Sequence, residues 1–277
     1  MIVASDLETL QQAVFELVKE GRRIALVPTM GALHSGHSSL ITLALQHADA
    51  VVASIFVNPT QFGANEDFSK YPRTLEDDIQ IAKDAGATII YAPSVEDMYP
   101  DGFNTTISAG KIGSILCGKF RPSHFDGVAT VVTKLLLRIM PHVAVFGLKD
   151  YQQLCVIRQI VSVLDIPLEE RIAAPIIREA DGLAISSRNR YLSAEERKLA
   201  PLLYQTLTNL AKQIKTAKIS DLLAKGVADL TAQGFKVEYL ELCDAVTLEP
   251  LSELEDDARL LIAAWLGNTR LIDNIEV

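Results

Sequence analysis

Short apolar runs alternating with segments of helical period constrain this chain more than any other feature, because a parallel sheet covered by helices is the common way to bury both. A helical segment over Leu7 to Glu20 precedes a strand at Ile24 to Val27. A second helix, from about Gly36 to Gln46, leads into a strand at Ala50 to Val57 that is apolar enough to be buried on both faces. Thr74 with Asp77 three residues on marks a helix start, Gly86 its end, and Thr88 to Tyr91 the next strand. From Val128 the positions Val131, Val132, Leu135, Leu136 and Ile139 share one helix face, which Pro141 stops. A strand at His142 to Phe146, a helix at Tyr151 to Leu164 and a strand near Arg171 to Ala174 follow.

Around Ile176 the pattern changes. Two helical segments arrive first, one opened by Ser193 with Glu196 as a capping box and the other over Ile219 to Gln233. Strand-like runs at Val237 to Leu242, Leu260 to Trp265 and Leu271 to Ile275 close the chain. The expected fold is α/β: a Rossmann-like parallel sheet with helices on both faces over residues 1–176, plus a smaller C-terminal α+β domain over 177–277.

Composition narrows the function. With 35 Asp and Glu against 26 Lys and Arg, a net charge of -9 argues against nucleic acid as the main partner. No apolar run approaches the roughly 18 residues of a membrane helix, and the start lacks a basic segment followed by a long apolar one, so a cytoplasmic protein with no membrane partner is expected. Cys117, Cys155 and Cys243 are odd in number and far apart, which fits neither a disulfide framework nor a zinc set.

The chemistry is expected where predicted strands end, since ligands of open parallel sheets sit there. Val27-Pro28-Thr29-Met30-Gly31-Ala32-Leu33-His34-Ser35-Gly36-His37 follows the first strand. Its glycines let backbone approach a ligand, and the next helix opens with unpaired N–H groups that favour an anion. His34 and His37, three apart, share a face of the first turn and would aim donors at a triphosphate whose charge grows as its α-phosphorus is attacked. Gly31 and Gly36 have the spacing of a P-loop, but His37 stands where that motif needs lysine. A zinc site lacks further ligands at suitable spacing. No Gly-x-Gly-x-x-Gly follows a predicted strand, which disfavours a nicotinamide oxidoreductase.

Three further segments stand at strand ends or at the start of the second domain. Asn58-Pro59-Thr60-Gln61 offers two amides at a turn, with Gln61 a candidate for holding an acid substrate. In Gly147-Leu148-Lys149-Asp150-Tyr151-Gln152-Gln153, Lys149 would neutralise phosphate, Asp150 hold a ribose hydroxyl and Gln153 project into the same cleft. Ile185-Ser186-Ser187-Arg188 would close over phosphates as a lid.

These four segments, with Phe68-Ser69-Lys70-Tyr71-Pro72-Arg73-Thr74 and the run from Arg121 to Val132, resemble the pantothenate synthetase family along almost the whole chain. The His-x-Gly-His core alone is shared with wider adenylyl-transferring enzymes; the full set is far more specific. The resemblance implies that pantoate attacks ATP to give pantoyl adenylate, which β-alanine then converts to pantothenate and AMP. It implies that Met30, Gly31, Ala32, Leu33, His34, Ser35, Gly36 and His37 line ATP, His37 being the residue usually given the proton-donor role. Gly147, Leu148, Lys149, Asp150, Ile177, Ile185, Ser186, Ser187 and Arg188 would complete the nucleotide site, with His34, His37, Lys149 and Arg188 acting in catalysis. Asn58, Gln61 and Gln153 would hold pantoate, and Gln61 would also meet β-alanine. Asp77 and Asp78 match acidic positions associated with Mg2+, and a homodimer is implied. Leu148 stands where the family commonly has Glu; with Lys149 and Asp150 retained, activity is expected to survive. Two rivals remain: a superfamily member that transfers AMP and stops, and a nonenzymatic nucleotide-binding protein.

Overall fold

A sheet flanked by helices on both sides needs mostly apolar strands, and the first six supply them, with Thr29, Ser54 and the Glu170–Arg171 start of the edge strand as the polar exceptions. In the computed structural model, which describes residues 1–63 and 66–277, these are β1 (Ile2–Ala4), β2 (Ile24–Thr29), β3 (Ala50–Ile55), β4 (Ile89–Tyr91), β5 (Val143–Gly147) and β6 (Glu170–Ala174). Their order is β1-β4-β3-β2-β5-β6, with every pairing parallel. Successive residues face opposite sides. Ile24, Leu26, Val52, Ile89, Tyr91, Ala144 and Phe146 pack in one core with the helices Leu7–Lys19, His124–Ile139 and Tyr151–Val163. Ala25, Val27, Val51, Ala53, Ile90, Val143 and Val145 pack in the other with Ser35–Ala44 and Leu75–Asp84.

The order of connection reverses between β2 and β5, which leaves a crevice beyond their carboxyl ends. The C-terminal part is built on β7 (Phe235–Asp244), β8 (Ala258–Leu266) and β9 (Thr269–Glu276), an antiparallel sheet with a bulge between Val237 and Tyr239. Leu260 and Ile262 of β8 share a core with Leu203, Leu207, Leu210, Leu222 and Leu230 from the helices beneath.

Local details depart from expectation for identifiable reasons. The segment opened by the Ser193–Glu196 capping box breaks into Ala194–Leu199 and Leu202–Gln213, because Pro201 has no N–H to continue the first helix and instead opens the second. The box expected at Thr74 is absent: that hydroxyl donates to Asp78 at 3.2 Å. β1 escapes the pattern because it has only three residues, two of them exposed.

Candidate active site

Between β2 and the next helix the chain must turn sharply at the crevice, and a buried carboxylate holds the turn. Gly31 has φ +79, and a Cβ there would lie 2.9 Å from Asp78 Oδ2 and 3.2 Å from Ile55 Cγ2. Ala32 is left-handed as well, with φ 49, a conformation that disfavours any residue with a Cβ. Asp78, 1% exposed, accepts the backbone N–H of Ala32 at 3.0 Å and of Leu33 at 2.7 Å. Asp78→Ala strands two buried donors, so it is expected to cost about 3 kcal/mol or more. Urea unfolding checks this, and an unchanged midpoint would contradict the assignment.

The turn delivers His34 as the N-cap of helix Ser35–Ala44 and His37 as its N3 residue. His34 Nδ1 accepts the N–H of Gly36 at 3.1 Å, while His37 Nδ1 accepts the N–H of His34 at 3.3 Å. Glycine is required at 36 for this cap, since a Cβ would sit 2.9 Å from the His34 ring. With both Nδ1 atoms accepting, both rings carry their proton on Nε2. The ring centroids are 4.1 Å apart.

Burial, then the positive charges of Lys149 and Arg190, pushes His34 down to about 4. Burial, then His34 and Lys149, pushes His37 down to about 3. Both imidazoles are therefore neutral near neutrality and serve as hydrogen-bond donors. His124 is also lowered to about 3, chiefly by burial and then by Arg121; its Nδ1 donates to the Gln61 carbonyl at 2.8 Å. All three bind protons more weakly folded than unfolded. Their contribution to stability is thus complete above the ordinary value of 6.5 and is lost progressively as pH falls toward about 3. The expected result is a urea midpoint that falls from about pH 7 to about pH 5; a level midpoint would contradict the burial of these rings.

Opposite the histidines, Asn58 is 1% exposed and fully engaged: Nδ2 donates to Gln61 Oε1 at 3.0 Å and to the Gly127 carbonyl at 3.1 Å, and Oδ1 accepts from Tyr99 at 2.7 Å. Asn58 thereby orients Gln61, whose Nε2 turns toward Met30 Sδ at 3.1 Å. The helix that carries Val128 comes this close only because of Gly127, where a Cβ would lie 2.5 Å from the Thr60 carbonyl oxygen.

Lys149 and Asp150 line the cleft from the end of β5, their charges 3.9 Å apart, and Gln153 lines it from the following helix. Its neighbour Gln152 points away, donating to the carbonyls of Ile112 and Ile115. Across the opening, Ile185 donates its N–H to the Ile177 carbonyl at 3.0 Å, and Ser186 Oγ accepts from Arg188 N at 3.3 Å. Arg188 lies over the Tyr71 ring, whose hydroxyl is 3.4 Å from Ser187 Oγ.

One cleft thus gathers Met30, His34, Gly36, His37, Asn58, Gln61, Gly147, Lys149, Asp150, Gln153, Ile177, Ile185, Ser186, Ser187 and Arg188. Gly31, Ala32, Leu33 and Ser35 do not line it, and Leu148 packs against the core instead. Asp77 and Asp78 do not converge: Asp77 is exposed, while Asp78 is consumed by the Ala32–Leu33 turn. Sequence alone also gives no sign that Tyr71, Phe56 and Phe146 reach the cleft, or that Val128, Val131, Val132 and Leu135 form its apolar wall. The helical stripe read as core is there both core and cleft wall.

Sheet order and crevice make this an open α/β protein of the kind that binds nucleotides at its switch point. The chain belongs to the pantoate-beta-alanine ligase family, whose family model matches residues 2–276. It is 55% identical to a pantothenate synthetase of Rhodospirillum rubrum over 99% of this chain and 98% of the relative. With one of Pseudomonas putida it shares 52% identity, over 96% and 94%. A crystal structure of pantothenate synthetase from Thermus thermophilus superposes with TM-score 0.94 at 43% identity, covering 100% of this chain and 99% of that one. The pantoate-beta-alanine ligase of Francisella tularensis, complexed with beta-gamma ATP and beta-alanine, superposes with TM-score 0.84 at 36% identity, covering 100% and 97%.

Proposed function

We propose that this chain condenses pantoate with β-alanine at the expense of ATP, through a pantoyl adenylate. The observation that carries the reading is the convergence of two neutral Nε2–H donors and Lys149 with an amide-bearing apolar wall in one cleft. Family membership and the ligands of the Francisella relative support it.

In the first step a pantoate carboxylate oxygen attacks the α-phosphorus, an O–P bond forms, and the bond to the β-phosphate breaks to release pyrophosphate. Charge grows on the non-bridging and leaving oxygens, where His34, His37, Lys149 and Arg188 supply donors. Gln61 and Gln153 hold pantoate, with its two methyl groups against Val131, Val132 and Leu135. Asn58 acts by orienting Gln61. Adenosine lies along Gly147, Asp150, Ile177 and Ile185, and residues 177–277 act as the lid. In the second step the unprotonated amine of β-alanine, near Gln61, attacks the acyl carbon and AMP leaves.

Asp77 and Asp78 do not fit a shared magnesium site, and the described residues contain no cluster of three or more His, Cys, Asp or Glu suited to a metal. The reading includes a homodimer in the cytoplasm; among the described residues no helix is long and apolar enough to cross a membrane.

Mass spectrometry of the products, with each substrate omitted in turn, tests the proposal. Pantothenate and AMP should appear only with all three present. AMP transfer without amine-dependent AMP release would favour a superfamily member that stops at adenylylation, and intact ATP in the complete mixture would favour a nonenzymatic protein.

A further inference from the structure

Two adjacent residues of β9 grip the two nucleotide-facing segments of the cleft from behind. Asn274, 2% exposed, donates from Nδ2 to the Leu148 carbonyl at 2.9 Å and to the Lys149 carbonyl at 3.2 Å. Those carbonyls lie in the short turn Leu148–Asp150 that leads into helix Tyr151–Val163. The amide has no alternative orientation. Arg259 donates to Asn274 Oδ1 at 2.7 Å, and because a guanidinium only donates, Oδ1 must face it and Nδ2 must face the turn. Arg259 is itself fixed, 7% exposed, with its guanidinium 4.1 Å from the Tyr151 ring centroid.

Asp273 points to the other face of the strand and takes Arg178 in a fork at 2.6 and 2.8 Å. Arg178 stacks 3.7 Å from the Tyr204 ring centroid, follows cleft residue Ile177, and pairs with Ala184 just before Ile185. One strand of the C-terminal sheet therefore fixes both the Lys149 turn and the Ile177–Ile185 pair.

We propose that Asn274 is a positioning residue for the reaction, setting the height of the Lys149 backbone, and hence of its ammonium group, relative to the His34–His37 pair. This rests on the reading of the cleft as the ATP site. Without Nδ2 the turn loses two hydrogen bonds that tie it to the C-terminal sheet, and the Lys149 backbone is held less closely to the lid side of the cleft.

The test compares Asn274→Asp with Asn274→Ala in the full-length protein. Aspartate keeps an oxygen for Arg259 and nearly the same shape, but turns a second oxygen on the two carbonyls, so two hydrogen bonds are replaced by a repulsive contact. The expected result for both variants is an ATP KM raised about tenfold or more, on the scale of one to two lost hydrogen bonds, with the KM for β-alanine unchanged. For Asn274→Asp the thermal midpoint should fall, by more than for Asn274→Ala, and the kinetics are read below the temperature at which either variant begins to unfold. A folded Asn274→Asp enzyme with an ATP KM within about twofold of wild type overturns the proposal, that being less than the loss of one hydrogen bond. If that variant does not fold, Asn274→Ala decides: a defect confined to ATP supports positioning, and an equal loss toward all three substrates, or one matching the unfolded fraction, overturns it. The substrate-omission assay on wild-type protein separately decides whether the cleft is an ATP site at all.

Discussion

Replacing His37 with alanine is expected to slow pantoyl adenylate formation by about a hundredfold or more, the scale on which a preorganised donor to a developing oxyanion contributes. The structure specifies what is lost. His37 Nδ1 is occupied by the His34 N–H, so the ring offers only its Nε2–H to a phosphate oxygen. A group lowered to about 3 is already neutral at working pH. In the proposed reaction it would act by a hydrogen bond rather than deliver a titrating proton, and the acid limb of the rate profile should be the same with and without it. His37→Gln can place an amide N–H near the Nε2 position and should recover part of the rate. Rapid-quench single turnovers with ATP and pantoate measure this step directly; an alanine variant with the wild-type rate would remove His37 from the chemistry.

The loss should exceed what capping alone explains, because an N-terminal cap is worth about 1 kcal/mol of stability. Thermal unfolding of His37→Ala beside its single-turnover rate separates the two roles. A small shift in midpoint with a large drop in rate identifies the donor function.

The sheet was legible because burial on both faces leaves nearly continuous apolar runs, as in Ala50–Ile55 with Ser54 its one polar residue, and because Pro141 ends the preceding helix cleanly. Placing the chemistry needed one further rule, that ligands gather at strand carboxyl ends, and Met30, Gln61, Lys149 and Arg188 do meet in one cleft. What stayed hidden is what local sequence does not encode. Asp78 looks like one of two helix-start carboxylates until the fold carries the Ala32–Leu33 turn to it across more than forty residues. Val131 and Val132 carry an ordinary core pattern, and nothing in that pattern says that part of the stripe faces the cleft. Asn274 lies in a C-terminal strand whose alternation gives no hint of a contact with the Lys149 turn. In each case the missing information is a contact between residues distant in sequence.

Lys149→Ala should also lower the rate of adenylate formation, again by about a hundredfold or more, for a related reason. Its ammonium lines the same cleft, and its positive charge is among the causes that hold both histidines in their neutral form. Removing that charge favours the protonated imidazoles, so the pKa of His34 and of His37 should rise in the variant, observable by NMR titration of the rings. Arginine should restore only part of the rate, since a planar fork on a different stem does not put a compact charge at the same point. Because Lys149 and His37 would stabilise charge developing on the same phosphoryl group, their effects should not add: the double alanine variant is expected to be much less impaired than the product of the two single losses. Strictly multiplicative losses in that double-mutant cycle would mean the two side chains contribute independently, and the picture of a single coupled donor cluster around the α-phosphate would have to be abandoned.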